Sequence, residues 1–141
     1  MPNHLYNPMT KSFLLFPFLL FCISTFSPAD ELTDSVRRGQ AVYTSTCVSC
    51  HQVDGAGVPG VFPPLAKSDY LMGDARRAIR TVLHGLEDEI TVNGEPYNGQ
   101  MPAQSHLSDE QVADVLNYVR NTWGNQGPAL TPAQVKAERQ P

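Results

Sequence analysis

Cys47-Val48-Ser49-Cys50-His51 constrains this chain more than any other run in it. Two thiols three positions apart, with a histidine directly after the second, have the spacing by which a c-type haem is attached. Each thiol can add across a haem vinyl group, and the histidine is then aimed at one face of the iron. Two other chemistries use paired cysteines. A zinc site wants further Cys or His ligands at finger-like spacing, and none follow here. A thioredoxin-type redox pair is expected beside a βαβ pattern, which this chain lacks. Covalent haem attachment through Cys47 and Cys50, with His51 as one axial ligand, is the reading the motif supports.

Residues 1–29 read as a secretory signal. Lys11 supplies the positive region, and Phe13 to Phe26 is an apolar run broken only by Pro17, Cys22, Ser24 and Thr25. Ser27-Pro28-Ala29 then offers small residues for cleavage. The run is about 14 residues, short of the roughly 20 that span a bilayer, so export to the periplasm is expected, with an uncleaved anchor as the alternative. Cys22 follows a bulky Phe21, which argues against a lipid-modified cysteine, and His4 leaves with the segment. Cys47 and Cys50 are then the remaining cysteines, both claimed by haem. Without Lys11 the chain carries 9 Lys+Arg against 14 Asp+Glu, a net −5. Such a balance argues against nucleic acid or an anionic membrane as partner. The roughly 110 residues that remain suit one small domain. A buried haem would supply apolar bulk that a core of this size otherwise lacks.

The scaffold around the motif can be read in outline. A first helix is expected from about Asp34 to Thr46 with Thr33 as cap, placing Gly39 and Tyr43 on one face. Ser108-Asp109-Glu110-Gln111 is a capping box, followed at helical spacing by Val112, Val115, Leu116, Val119 and Trp123. Val115 and Tyr118 are expected to meet the Gly39/Tyr43 face, where glycine lets two helices approach closely. A shorter helix is expected from Asp74 to His84, ending at Gly85. Asn93-Gly94, between β-compatible residues in Ile90–Tyr97, marks a hairpin. Gln52 to Gly73 has no usable periodicity and reads as a loop wrapped around a rigid ligand. Thr131-Pro132 starts a last segment, expected to be a short surface helix or a frayed tail within 126–141.

Function turns on the second axial ligand. Met72, His84, Met101 and His106 are the candidates. Met101 is best placed, in Tyr97-Asn98-Gly99-Gln100-Met101-Pro102, where glycine permits close approach and proline stiffens the chain. Met72 sits among apolar neighbours and reads as packing. His84 lies in the last turn of a helix, and His106 two residues before a helix cap. Histidine and thioether together saturate the iron and favour its ferrous state, which points to electron transfer rather than catalysis. A ligating imidazole normally donates its other ring N–H to an acceptor, and the Pro63 carbonyl in Pro63-Pro64-Leu65 is the expected partner of His51.

Taken together these residues resemble class I cytochromes c over nearly all of the chain after residue 29. The pattern comprises Gly39 and Tyr43 ahead of Cys47/Cys50/His51, then Pro63/Leu65, Met101, and a final helix with Val115 and Tyr118. The resemblance implies an all-α fold, with N- and C-terminal helices crossing around one covalently bound haem c and a small hairpin before the methionine loop. A cytochrome domain over 30–125 follows. Pro63–Met72, Ile90–Gly99 and Asn117–Asn125 are also similar to cytochrome domains fused to copper nitrite reductases and to cytochromes serving periplasmic dehydrogenases.

The leading expectation is a monomeric periplasmic one-electron carrier with His51/Met101 ligation and no catalytic residues. Its partners would be redox proteins, a periplasmic oxidoreductase or oxidase, met at the haem edge near the thioether cysteines. A cytochrome subunit of a multi-subunit dehydrogenase or nitrite reductase is the second reading. A haem enzyme or gas sensor with an open sixth position is the third, and it requires that Met101 not bind iron.

Overall fold

The computed structural model describes residues 27–140, so nearly all of the expected signal segment, with His4, Lys11 and Cys22, lies outside the described residues. Helix α1 runs Pro28–Thr46, six residues earlier than expected. Ser27, not Thr33, is its cap, accepting a bond from the Ala29 N–H. Pro28 carries no N–H to orphan at the first position, and Asp30 and Glu31 complement the dipole in the first turn. Thr33 is inside the helix and donates to the Ala29 carbonyl.

The motif itself forms a single turn, α2, Val48–His51. Most of the following stretch is loop, but its last five residues are helical: α3, Asp69–Gly73, is capped by the Ser68 hydroxyl accepting from Leu71 N–H. Helix α4, Ala75–His84, begins after Asp74, whose carboxylate accepts from the N–H groups of Arg76 and Arg77, and ends at Gly85 with φ +81°. Strands β1, Ile90–Val92, and β2, Glu95–Tyr97, pair antiparallel with Ile90 opposite Tyr97. Asn93 and Gly94 both have positive φ between them, as the tight primed hairpin turns require.

Helix α5, Asp109–Val119, starts with the expected capping box between Ser108 and Gln111. It stops short of Trp123, which takes a left-handed φ of 52° beyond the helix. The indole still reaches the core: its ring lies 5.2 Å from Tyr43 and 5.3 Å from Tyr118, closing an aromatic triad. Helix α6, Pro132–Glu138, has its own capping box, Thr131 with Gln134. It is the expected short surface helix, mostly exposed, and is anchored by Val135, which is fully buried and joins one hydrophobic cluster with Tyr43, Leu83 and Leu116.

α1 and α5 cross at Gly39. A Cβ there would collide with the Asp114 carbonyl and lie 2.9 Å from Tyr118 Cβ. At the crossing itself the contact falls to Asp114 and Tyr118, and Val115 lines a cavity. A buried polar seam runs along the crossing. Asp114 accepts from Ser35 at 2.6 Å and from two Arg38 nitrogens at 2.7 and 2.8 Å. Asn117 donates to Ser35 and to the Leu130 carbonyl, and accepts from Leu130 N–H. No described helix is long and apolar enough to cross a membrane.

Candidate functional site

The short turn α2 and the loops on either side of α4 surround a cavity that is partly open to solvent. Cys47, Cys50 and His51 line it together with Pro63 and Met101, while Leu71, Val82, Val115 and Leu116 supply apolar wall. The other ligand candidates are elsewhere. Met72 packs partly buried against the core. His84 turns toward α6, its Nε2 3.0 Å from the Glu138 carbonyl, and His106 is exposed.

His51 is oriented by its neighbours. Its Nδ1–H donates to the Pro63 carbonyl at 3.0 Å, leaving Nε2 as the ring's free nitrogen. Burial pushes the pKa of His51 down, and the bond to Pro63 offsets part of that; the balance favours the neutral imidazole that a metal needs. The loop that returns Pro63 to His51 turns at Gly57, whose N–H donates to the His51 carbonyl at 3.1 Å. A Cβ on Gly57 would strike the Phe62 carbonyl and approach the Pro63 carbonyl to 2.7 Å. Two more bonds, from Leu65 and Ala66 N–H to the Gly55 carbonyl, close the same loop. Tyr43 Oη donates to the Gln52 carbonyl just after the motif.

Cys47 and Cys50 are free thiols. Burial, with a smaller contribution from Cys50, pushes the Cys47 thiol up to about 11. Redox-exchange dithiols instead depend on a depressed pKa, and Cys47 is shifted the opposite way.

Met101 is placed by a two-bond bridge. Leu86 N–H donates to the Met101 carbonyl and Met101 N–H to the Leu86 carbonyl, each at 2.9 Å. Gly85 makes room for this: a Cβ there would lie 2.6 Å from the Met101 carbonyl oxygen and 2.9 Å from Ala103 N. On the other flank, Gly99 passes the Val61 carbonyl with only 2.6 Å to spare for a Cβ. Leu86, Gly57 and Gly85 were not singled out by motif for these roles. Gly85 and Leu86 meet partners 15 to 18 residues away, beyond the reach of local pattern.

The family model for cytochrome c matches residues 36–123. The chain belongs to the cytochrome c family. Cytochrome c-552 of Thermus thermophilus is 37% identical over 123 aligned residues, covering 72% of this chain and 93% of that protein. The cytochrome c subunit of the quinone alcohol dehydrogenase of Gluconobacter oxydans is 36% identical over 67% of this chain, but this spans 20% of the subunit. The gluconate 2-dehydrogenase cytochrome c subunit of Pantoea cypripedii is 36% identical over 72% of this chain and 23% of its own length.

As a cytochrome c, the chain has an electron-transfer domain whose cofactor is covalently bound haem c. The cavity fits that group. Two unpaired thiols, an imidazole with one nitrogen already committed to a carbonyl, and a thioether line one largely apolar space. The mostly helical architecture with one small antiparallel hairpin is the class I cytochrome c fold.

Proposed function

We propose that this chain is a periplasmic one-electron carrier, monomeric and without catalytic activity of its own, with His51 and Met101 as axial ligands and Cys47 and Cys50 as the thioether attachments. The convergence of those four side chains on one cavity is the observation that carries this reading. When bound, haem c exchanges single electrons between its ferric and ferrous states. The chain's own residues then have definite tasks. Pro63 holds the His51 ring in one tautomer and orientation. The Leu86 bridge holds the Met101 backbone, and the thioether favours the reduced state. Leu71, Val82 and Leu116 exclude water. With both axial positions taken, no site remains for oxygen or peroxide. Partner redox proteins would meet the open side of the cavity near Cys47 and Cys50 in brief encounters that bury little area.

Replacing Met101 by alanine tests the reading. Haem should stay covalently attached while the reduced protein gains rapid carbon monoxide binding and the reduction potential falls. Unchanged ligand access and potential would overturn the axial assignment.

A second reading has one observation in its favour: several relatives are cytochrome subunits of dehydrogenases. In that case the same domain serves as a subunit beside a separate catalytic chain. Pull-down from its native cells decides between them. A stoichiometric dehydrogenase partner selects the subunit, and a monomer at all protein concentrations selects the carrier.

A further inference from the structure

We propose that Glu138 and Arg139, at the end of α6, position Met101 by tying together the two stretches of chain that carry the methionine loop. The inference rests on the reading of Met101 as an axial ligand. The cytochrome c match ends at residue 123, so the family pattern does not account for this element.

Met101 sits between two supports. The upstream support is the end of α4, where Gly85 and Leu86 hold the Met101 peptide. The downstream support is the run from Gln104 to Ser108, fixed at its start by Gln104 N–H donating to the Val82 carbonyl at 2.8 Å. Neither Gly85–Leu86 nor Gln104–Ser108 lies inside a helix or strand, so regular backbone bonding does not lock their separation.

α6 touches both supports with consecutive residues. The Glu138 carboxylate is buried and accepts from Arg76 Nε of α4 at 2.6 Å. Its main-chain carbonyl accepts from His84, the last residue of α4, at 3.0 Å. The Arg139 guanidinium reaches the other way, donating to the Leu107 carbonyl at 2.8 Å, the Ser105 carbonyl at 3.1 Å and the Asp109 carboxylate at 2.7 Å. A fork of fixed donors on two carbonyls and a carboxylate is a geometric constraint as well as an attraction. The anchor itself is firm, because Val135 is fully buried and Asn117 grips Leu130 through two bonds. Loosening Arg139 therefore leaves the downstream support held only at its ends, by Gln104 and the Ser108 cap, while the helices and the His51 side stay in place.

Imidazole competition at the ferric iron reads this directly, since imidazole binds only when the thioether lets go. In the full-length holoprotein, Arg139→Gln removes three charge-assisted bonds and should tighten imidazole binding by at least about tenfold, the change one such bond alone would give, at a temperature where the helical signal equals that of the parent. Arg139→Lys keeps the charge beside Asp109 but loses the fork, and should fall between the two. Arg37→Gln, which removes an exposed ion pair with Asp34 on α1, should change nothing. Parent-like imidazole affinity in Arg139→Gln would overturn the proposal; should that variant fail to fold, Arg139→Lys is judged by the same standard. Met101→Ala separates the two levels. If it binds imidazole no more tightly than the parent, the ligand assignment fails. If it binds more tightly and Arg139→Gln does not, only the positioning role fails.

Discussion

The two sides of the cavity are built differently. On the histidine side most restraints are short in sequence, Tyr43 to Gln52, His51 to Pro63 and Gly55 to Leu65, with Asn125 holding the Leu65 carbonyl from further along the chain. Each of the short ones closes a loop of about a dozen residues or fewer, and closing a short loop costs little entropy. On the methionine side the restraints reach further. Leu86 meets Met101, Val82 meets Gln104, and Arg139 meets Ser105 and Leu107 from more than thirty residues away. The first side is held mainly by its own short loops. The second is assembled from three separate parts of the chain and is only as rigid as their docking. Local opening concentrates where backbone is irregular and its restraints are few, so the methionine side should loosen first.

Substitutions can break that comparison. The largest effect is expected at Gly39, beneath both sides, where a Cβ overlaps the Asp114 carbonyl. Gly39→Val should cost at least about 3 kcal/mol by forcing the helices apart, lowering thermal stability and both ligand geometries together. A variant that loses one ligand while keeping full stability would show that the crossing does not serve both.

Gly57→Ala and Gly85→Ala form a matched pair. Each adds a Cβ at positive φ against a carbonyl, and each should cost about 1–3 kcal/mol in backbone strain. Their spectra should differ. Gly57→Ala disturbs the Pro63 carbonyl and so the His51 ring, leaving the far-red iron–thioether band in place. Gly85→Ala displaces the Met101 peptide and should diminish that band. The reverse pattern would mean that the two glycines do not belong to the sides assigned to them.

The smallest effect is one of pH. The backbone N–H of Arg77, then that of Arg76, hold the Asp74 carboxyl below its ordinary 3.8. A folded pKa below the unfolded one stabilises above that ordinary value, and the gain disappears as pH falls through the folded pKa. Asp74→Asn keeps a capping oxygen but removes the charge, so its stability should decline less than the parent's between about pH 5 and 3. Equal declines would show that the α4 cap contributes nothing to acid sensitivity.

What could be read from the residues follows the same division. The Cys47–His51 motif, the Ser108 capping box, the Asn93-Gly94 turn and the bond from His51 to Pro63 all depend on neighbours within about a dozen positions, and pattern shows them. The start of α1 was misplaced because Thr33 and Ser27 are both good caps, and Pro28 decides between them. That Asp114 shares the closest approach to Gly39 with Tyr118 is not legible locally, because helical periodicity leaves a one-residue ambiguity on that face. The Ser35–Asp114–Asn117 seam and the docking of α6 had no local signature. Polar residues on an amphipathic helix read as solvent-facing until a partner from elsewhere in the chain buries them.

Gentle heating of the oxidised holoprotein, with the far-red band and the far-UV helical signal followed together, separates the two sides. The band should be present at room temperature and disappear before the helices melt, while haem remains covalently attached. A band that is absent at the outset, or that persists until the helices unfold, would contradict an iron held by His51 on a side of short loops and by Met101 on an assembled one.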